Sequence, residues 1–221
     1  MYPAEPSKAE NDALAGRLTD PQCCAVILSG GLNSRMAGRN KAFLEVGGKS
    51  ILDRLLIRLR PLFEEILLVT RQPHLYTDFP VRIVEDIYRD RSSLTGIHAA
   101  LVNARAEYGF VVPCDTPFLN PAVIRLLLDA AEPRWGAVVP LLGEHYEPLC
   151  AIYSKSCLPV IEAMLDRGDY KIVHLFDQIR VTFISADRIK RVDPELLSFF
   201  NVNTPAAYRG CQQLIGKRSV S

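Results

Sequence analysis

Short apolar runs alternate with longer amphipathic segments along most of this chain. The run 23–28 is apolar at every position, which predicts a strand buried on both faces of a sheet. Comparable runs predict further strands at 65–70, 82–85, 109–114, 137–142, 149–153 and 181–185. Helical spacing of apolar residues predicts helices at 50–59, 94–104, 122–131, 155–167 and 204–215. This alternation predicts an α/β domain with a mainly parallel sheet covered on both faces.

Helix caps and the spacing of the strands refine this prediction. Ser50 is a good N-cap for the first helix, and Asn120 with Pro121 supplies a cap and an N1 proline for the helix at 122–131. After Trp135 the strands follow one another more closely, which predicts an antiparallel edge. Ligands of such sheets bind beyond the carboxyl ends of the strands, so we expect the functional residues in the loops that follow the strands.

Composition bounds the size of the protein and its classes of partner. The 221 residues, 48% of them hydrophobic, suffice for one sizeable core, and we predict a single domain at 22–217. Residues 1–21 carry mixed charges and no long apolar stretch, so we expect a disordered leader and not a secretory signal. The 26 basic and 25 acidic residues leave no polycationic surface, which argues against a nucleic acid or membrane partner.

The six cysteines favour a reducing compartment. No two of them form a C-x-x-C pair, and most have apolar neighbours. This is typical of buried reduced thiols and argues against a disulfide framework or a zinc site. Since no apolar run approaches the roughly 20 residues that cross a bilayer, the sequence predicts a soluble cytoplasmic protein.

The segment 28–41 carries the strongest local indication of a ligand. It follows the first strand and contains three glycines, two arginines and a lysine, in the order Leu-Ser-Gly-Gly-Leu-Asn-Ser-Arg-Met-Ala-Gly-Arg-Asn-Lys. Glycines let backbone N–H groups surround phosphate oxygens, and cations neutralise the charge of the phosphates. The spacing matches neither a Walker loop nor a G-x-G-x-x-G loop, and a glycine-rich turn with solvated cations is the alternative.

This loop closely resembles the signature of the MobA family, the molybdenum-cofactor guanylyltransferases. Four later segments match that family in the same order: 83–86 (Ile-Val-Glu-Asp), 94–97 (Leu-Thr-Gly-Ile), 113–118 (Pro-Cys-Asp-Thr-Pro-Phe) and 201–205 (Asn-Val-Asn-Thr-Pro). The match extends over roughly 24–208. The resemblance implies a single three-layer domain with a mixed-edge sheet and the Rossmann-like fold of the nucleotidyltransferases.

The resemblance also implies roles for the residues of the loop. The residues that would line the nucleotide are Leu28, Ser29, Gly30 and Gly31. Arg35 and Lys41 would reach the phosphates and take part in catalysis. Cations placed on the β- and γ-phosphates would stabilise pyrophosphate as it leaves.

Asp115 is the candidate for metal binding. It follows the apolar run 109–114 and precedes Thr116 and Pro117, which places its carboxylate at the carboxyl edge of the sheet. A hard oxygen ligand there suits Mg²⁺ bridging the α-phosphate and the attacking group, so we assign Asp115 to nucleotide binding, metal binding and catalysis. The alternative is an aspartate that forms a turn before Thr-Pro.

Recognition of the base is assigned to Asp86, whose counterpart in the family lies at the guanine. A carboxylate can accept hydrogen bonds from the N1–H and the exocyclic amine of guanine, a pattern that cytosine and adenine do not present. The alternatives are Glu85 as the base-binding acid, or a solvated Asp86 at the end of its strand. The family tends to have an asparagine after the second strand, and here Thr70 or Arg71 takes its place at the nucleotide.

On the acceptor side the resemblance points to Gly96, Asn201 and Asn203. Gly96 matches a glycine of the family's G-P-L-A-G-I segment, although 92–96 reads Ser-Ser-Leu-Thr-Gly and lacks the first glycine and the proline. Asn201 and Asn203 match the asparagines of N-x-N-T-P, which lie near the acceptor in the family. A plain helix cap at 203–205 is the alternative.

The implied reaction transfers GMP from GTP to the terminal phosphate of molybdopterin, with or without bound molybdenum, and releases pyrophosphate. Mg²⁺ is the implied cofactor, and molybdoenzymes or their chaperones would receive the product. Three alternatives stay open: CTP as the nucleotide, a sugar or polyol phosphate as the acceptor, and a non-catalytic nucleotide-binding regulatory protein. The changed segment at 92–93 would fit the last of these.

Overall fold

A computed structural model of the protein describes residues 22–30, 35–36 and 39–218. At 35, 36, 39 and 216–218 the description covers the backbone alone. The leader expected at 1–21, Gly31 and the side chain of Arg35 lie outside the described residues.

One large sheet and two small hairpins make up the β structure. In chain order the strands are β1 Cys23–Leu28, β2 Arg35–Met36, β3 Arg39–Asn40, β4 Glu45–Val46, β5 Lys49–Ser50, β6 Ile66–Val69, β7 Arg82–Val84, β8 Tyr108–Pro113, β9 Ala137–Leu142, β10 His145–Tyr146, β11 Ala151–Ser154 and β12 Val181–Ser185. The large sheet has 8 strands in the order β10-β9-β11-β8-β1-β6-β7, and β12 also pairs with β9. β2 pairs with β3 and β4 with β5 in the two hairpins.

The centre of the large sheet is parallel, as the sequence predicts. β1 lies between β6 and β8 and is parallel to both, and β7 is parallel to β6. The antiparallel strands of the large sheet come after Trp135. One is β10, at the edge as expected, and the other is β11, which lies inside the sheet between β8 and β9. The mainly parallel sheet with mixed strand directions is therefore confirmed.

The described helices are α1 Ile51–Leu59, α2 Ser93–Asn103, α3 Pro121–Ala130, α4 Leu158–Asp166, α5 Ile172–Leu175, α6 Ala186–Lys190 and α7 Pro205–Arg218. Two of them, α1 and α3, begin where the sequence places their caps. Ser50 Oγ accepts a hydrogen bond from Asp53 N at 3.0 Å, and Asn120 Oδ1 accepts one from Ala122 N at 2.9 Å, which confirms both predicted caps. No helix within the described ranges is long and apolar enough to span a membrane.

Each face of the sheet carries its own apolar core, so the domain has three layers. Every residue of β1 is buried, and successive side chains point to opposite faces. Cys23, Ala25 and Ile27 belong to one core, and Cys24, Val26 and Leu28 belong to the other. Residues of α1 and α3 complete the first core, and residues of α2 and α4 complete the second. This burial on both faces explains why the strand is apolar throughout.

All six cysteines are buried and form no disulfide, as the sequence predicts. Burial raises the pKa of the Cys24 thiol from 9.0 to about 12, and it raises the pKa of the Cys114 thiol by the same amount. Both groups are therefore protonated in the folded protein at neutral pH.

These two thiols make the free energy of unfolding fall at alkaline pH. Unfolding returns each pKa to about 9, so below this pH both states hold the two protons. Between about pH 9 and pH 12 the unfolded state loses them first, which lowers the free energy of unfolding by up to about 1.4 kcal/mol per thiol and pH unit. We therefore expect Cys114→Ala to reduce the decrease in the free energy of unfolding per pH unit by the contribution of one thiol. Urea titrations at several pH values measure this dependence. An unchanged slope would contradict the buried, protonated state of Cys114.

Candidate active site

The carboxyl ends of the parallel strands meet at one edge of the sheet. In the paired registers Leu28 lies beside Val69 and Pro113, and Val69 lies beside Val84. The segments that follow these strands are 29–30 after β1, 70–71 after β6, 85–86 after β7 and 114–116 after β8. With Lys41 and the asparagines before α7, they supply the described candidate residues, which form two groups.

The first group surrounds the amino group of Lys41. Its Nζ donates hydrogen bonds to Asp115 Oδ2 at 3.1 Å and to Asn203 Oδ1 at 2.5 Å. Lys41 is 3% exposed and Asp115 is 9% exposed. A buried ammonium group needs such partners, because removing an unpaired charge from water costs several kcal/mol. The structure thus brings Lys41 and Asp115, which are assigned to catalysis, into contact with Asn203, which is assigned to the acceptor.

Asn203 reaches Lys41 because the segment before α7 is tied to Asp115. Val202 N donates to the backbone oxygen of Asp115 at 2.9 Å, and the Val202 side chain is fully buried. Thr204 Oγ1 accepts a backbone hydrogen bond from the first turn of α7 at 3.1 Å and caps this helix. Thr204 therefore makes the helix cap expected at 203–205, and the Asn203 side chain binds Lys41 instead.

Ser29, Tyr76 and Asn40 form a hydrogen-bonded chain between the two ends of the glycine-rich loop. Asn40 Nδ2 donates to the fully buried Tyr76 hydroxyl at 2.7 Å, and this hydroxyl lies 2.5 Å from Ser29 Oγ. Burial raises the pKa of Tyr76, so the phenol keeps the proton that it can donate to Ser29. Asn40 also caps the 3₁₀ turn Lys41–Phe43, because its Oδ1 accepts from Ala42 N at 3.0 Å. Sequence reasoning missed Tyr76, which stands in no recognisable motif.

The donors of the first group fit a divalent cation that is shared with phosphates. Asp115 supplies a carboxylate, and the side-chain oxygens of Asn203 and Asn201 lie nearby, bound to Lys41 and to Thr116. Mg²⁺ binds such hard oxygens, usually through one or two carboxylates together with substrate phosphates. The described part of the chain has no group of three His, Cys, Asp or Glu side chains that could hold a metal. The donor set therefore fits a divalent cation that is held together with phosphates of a nucleotide.

The second group lines a cleft at the ends of β1, β6 and β7. Leu28, Gly30, Arg71, Asp86, Ser92 and Gly96 are among its lining residues. The Asp86 side chain is 9% exposed, and its Oδ2 accepts a hydrogen bond from Arg71 Nε at 2.9 Å. Its Oδ1 is buried and has no hydrogen-bond partner among the described residues. A buried oxygen without a partner is costly, so this atom indicates where a ligand donor would bind.

Two glycines leave room beside Asp86. A Cβ atom added at Gly96 would lie 3.1 Å from Leu28 Cδ2 and 3.9 Å from Asp86 Oδ1. A Cβ atom added at Gly30 would lie 4.0 Å from Asp86 Oδ2. A larger residue at 96 would therefore press on Leu28 and narrow the cleft. The structure places Gly96, assigned to the acceptor, with the residues assigned to the nucleotide.

Around Asp86 the structure separates the neighbouring candidates. Glu85 is exposed, whereas Asp86 lines the cleft, so Asp86 is the acid that a base in the cleft would meet. Thr70 is 1% exposed, and its Oγ1 accepts a hydrogen bond from Gln72 N at 3.1 Å. Of the two residues considered for the family's asparagine, Arg71 is the one that lines the cleft.

Comparison with known proteins identifies the family of this chain. The family model of the MobA-like NTP transferase domain matches residues 25–181. The molybdenum cofactor guanylyltransferase of Desulfosudis oleivorans is 40% identical over 179 residues, which cover 81% of this chain and 89% of that protein. A probable molybdenum cofactor guanylyltransferase of Methanosarcina mazei is 37% identical over 197 residues, with coverage of 81% and 85%.

A solved structure shares the fold. Molybdopterin-guanine dinucleotide biosynthesis protein A from Archaeoglobus fulgidus superimposes with a TM-score of 0.76 at 27% identity, and the match covers 87% of this chain and 98% of that one. This confirms the single α/β domain with a nucleotidyltransferase fold. Together with the family model and the relatives, it also confirms the resemblance drawn from the motifs: the chain belongs to the family of the MobA-like NTP transferase domain.

Proposed function

We propose that this protein transfers GMP from GTP to the terminal phosphate of molybdopterin and releases pyrophosphate. The observation that carries the proposal is the buried pair of Lys41 and Asp115, which lies at the end of the glycine-rich loop after β1. The family is one of nucleotidyltransferases, and relatives named molybdenum cofactor guanylyltransferases support this choice of substrates.

The reaction depends on alignment and on charge neutralisation. The second pKa of a phosphate monoester is about 6, so the acceptor phosphate is largely dianionic at neutral pH and needs no general base. Lys41 would donate to phosphate oxygens of the nucleotide and offset the charge that builds up as pyrophosphate leaves. Ser29 and the backbone at Gly30 would bind the phosphates on the other side. Gly31 and Arg35 keep the roles in nucleotide binding and catalysis that the resemblance implies.

Asp115 would hold Mg²⁺ together with phosphate oxygens of the nucleotide. The cation, when bound, supplies positive charge at the α-phosphate. The Asp115 carboxylate accepts from Lys41 in the free protein, so the two side chains keep each other oriented before a nucleotide binds. The fixed position of the carboxylate lowers the entropy lost on binding.

The acceptor is assigned to the side of the site that carries Asn201 and Asn203. Asn201 Oδ1 accepts a hydrogen bond from Thr116 Oγ1 at 2.9 Å, which holds it next to Asp115. Molybdoenzymes or their chaperones would receive the product. The six buried cysteines, none of them in a disulfide, support the cytoplasm as the compartment.

A thermal-shift titration tests the choice of nucleotide. GTP with Mg²⁺ at about 100 times its dissociation constant should stabilise the fold by about 2.7 kcal/mol, which is roughly 5–10 °C for a domain of this size. CTP with Mg²⁺ at the same concentration should give a much smaller shift, because cytosine does not offer the donors that Asp86 accepts. Mg²⁺ alone should change the melting temperature little, because Asp115 is the one carboxylate among the described residues of the first group.

The same titration, followed by turnover, separates the alternatives. Equal protection by CTP would reject guanine as the base. Protection by GTP without pyrophosphate release in the presence of molybdopterin would favour a regulatory protein. Pyrophosphate release with a sugar phosphate, and none with molybdopterin, would reject the proposed acceptor.

A further inference from the structure

Arg71 makes four hydrogen bonds with described residues at the rim of the cleft. Its Nε donates to Asp86 Oδ2 at 2.9 Å, and its Nη1 donates to the backbone oxygen of Arg89 at 2.9 Å. Its Nη2 donates to the backbone oxygens of Tyr88 at 2.7 Å and Asp90 at 2.8 Å. A guanidinium group has five N–H donors in a rigid plane, so these contacts use most of them. Arg71 therefore fixes a carboxylate and a stretch of backbone at the same time.

The contact with Arg71 gives the two oxygens of Asp86 different tasks. Oδ2 is occupied by the guanidinium, whereas Oδ1 is buried without a partner in the described part of the structure. Because a carboxylate is planar, holding one oxygen also sets the direction of the other. Oδ1 lies at a cleft with a glycine close by, since a Cβ added at Gly96 would be 3.9 Å away. Gly96 thus places no side chain between this atom and the cleft.

We propose that Arg71 is a positioning residue that sets the guanine selectivity of the cleft. By holding Oδ2 of Asp86, it presents Oδ1 as the acceptor for a donor on the Watson–Crick edge of guanine. Held in the same orientation as guanine, adenine would direct its N1 lone pair at Oδ1 and has no amine at C2, so it would leave Oδ1 buried and unpaired. The inference rests on the proposed function, because it takes GTP as the nucleotide.

A purely structural role for Arg71 predicts a different effect of its loss on the binding of GTP and ATP. If Arg71 only tied the backbone at 88–90 to the end of β6, its loss would weaken binding of any purine nucleotide to a similar extent. If it positions Asp86, its loss should weaken GTP binding and leave ATP binding nearly unchanged. The ratio of the dissociation constants for ATP and GTP distinguishes the two roles, because both nucleotides carry the same ribose and triphosphate.

The test measures these dissociation constants by calorimetry with Mg²⁺ present, for the wild type and for Arg71→Ala. We expect the wild type to bind GTP at least about 100-fold more tightly than ATP, since a buried acceptor left unpaired is strongly unfavourable. In Arg71→Ala the ratio should fall by about 10-fold or more, because Asp86 is then free to rotate. Arg71→Lys keeps a cation beside Asp86 but loses some of the hydrogen bonds to the backbone. Its ratio of dissociation constants should therefore stay within about 3-fold of the wild-type ratio.

Arg82→Ala is a matched control. Arg82 Nη1 pairs with Glu65 Oε1 at 2.8 Å at the start of β7, and Arg71 pairs with Asp86 beyond the end of the same strand. This variant also loses one arginine and one ion pair, and its ratio should equal that of the wild type. Circular dichroism and melting temperatures establish that each variant is folded, and Arg71→Met, which keeps an unbranched side chain without the charge or the donors, replaces Arg71→Ala if that variant does not fold.

Three results would overturn the inference. The first is a wild-type ratio in Arg71→Ala, and the second is a ratio that falls equally in Arg71→Lys and Arg71→Ala. The third is a further fall when Arg71→Ala is added to Asp86→Asn, because Arg71 would then act without Asp86. If the wild-type protein does not bind GTP more tightly than ATP, both the proposed nucleotide and this inference are wrong. If the wild-type protein prefers GTP and Arg71→Ala has the same ratio of dissociation constants, only this inference is wrong.

Discussion

Lys41→Met and Asp115→Asn should each lower kcat/KM for GMP transfer by roughly 1000-fold or more. Methionine keeps the length of lysine without its charge, and asparagine keeps the shape of aspartate without its charge. The first change removes the cation that would offset charge on the leaving pyrophosphate. The second removes the carboxylate that would hold Mg²⁺. Pyrophosphate release with GTP, Mg²⁺ and molybdopterin measures both effects.

The double variant separates this loss of catalysis from a loss of stability. The two side chains are 4% and 12% exposed, so either single change leaves a buried charge without its partner and should cost about 3–5 kcal/mol of stability. Combining Lys41→Met with Asp115→Asn removes both charges and should restore much of the stability while the protein stays inactive. Lys49→Met, a change at an exposed lysine of β5, is the control and should behave like the wild type. A double variant that turns over at the wild-type rate would disprove both assignments.

Three strands, β1, β9 and β12, have the predicted bounds. In β1, which is buried on both faces, an unbroken apolar run leaves only one way to bury the segment. The two-residue strands β2 to β5 were not predicted, since hairpins this short have no hydrophobic period. The short helices α5 and α6 were missed for the same reason: they have four and five residues, about one turn each.

The sequence predicts which residues lie at the site better than it predicts which of them touch. Lys41, Asp115 and Asn203 were each proposed from motifs, but their mutual contact joins segments far apart in the chain. Motifs record chemistry along the chain, whereas such contacts depend on how β1, β8 and the start of α7 are packed. Tyr76 and the contacts of Arg71 were not predicted for this reason. A single tyrosine or arginine in a loop forms no local sequence pattern.

Asp86→Asn should reduce kcat/KM for GTP by about 100-fold and change that for CTP by less than about 3-fold. The amide keeps one oxygen but loses the negative charge, and a hydrogen bond to a charged acceptor is worth about 1.5–3 kcal/mol more than no bond. The amide forms no ion pair with the guanidinium of Arg71, and when its one oxygen accepts from Arg71 its NH2 group faces the donors of guanine. Initial rates with each nucleotide at low concentration give the two values.

Asp90→Asn is the control for the change of charge near the cleft. Asp90 is exposed, and its Oδ2 accepts a hydrogen bond from the Tyr170 hydroxyl at 2.6 Å, away from Asp86. Its backbone oxygen, which accepts from Arg71, is unaffected by the substitution. We therefore expect wild-type selectivity between GTP and CTP. If Asp86→Asn lowers both rates equally, the carboxylate supports the cleft without selecting the base. If it lowers neither, Asp86 does not contact the base, and guanine must be recognised elsewhere.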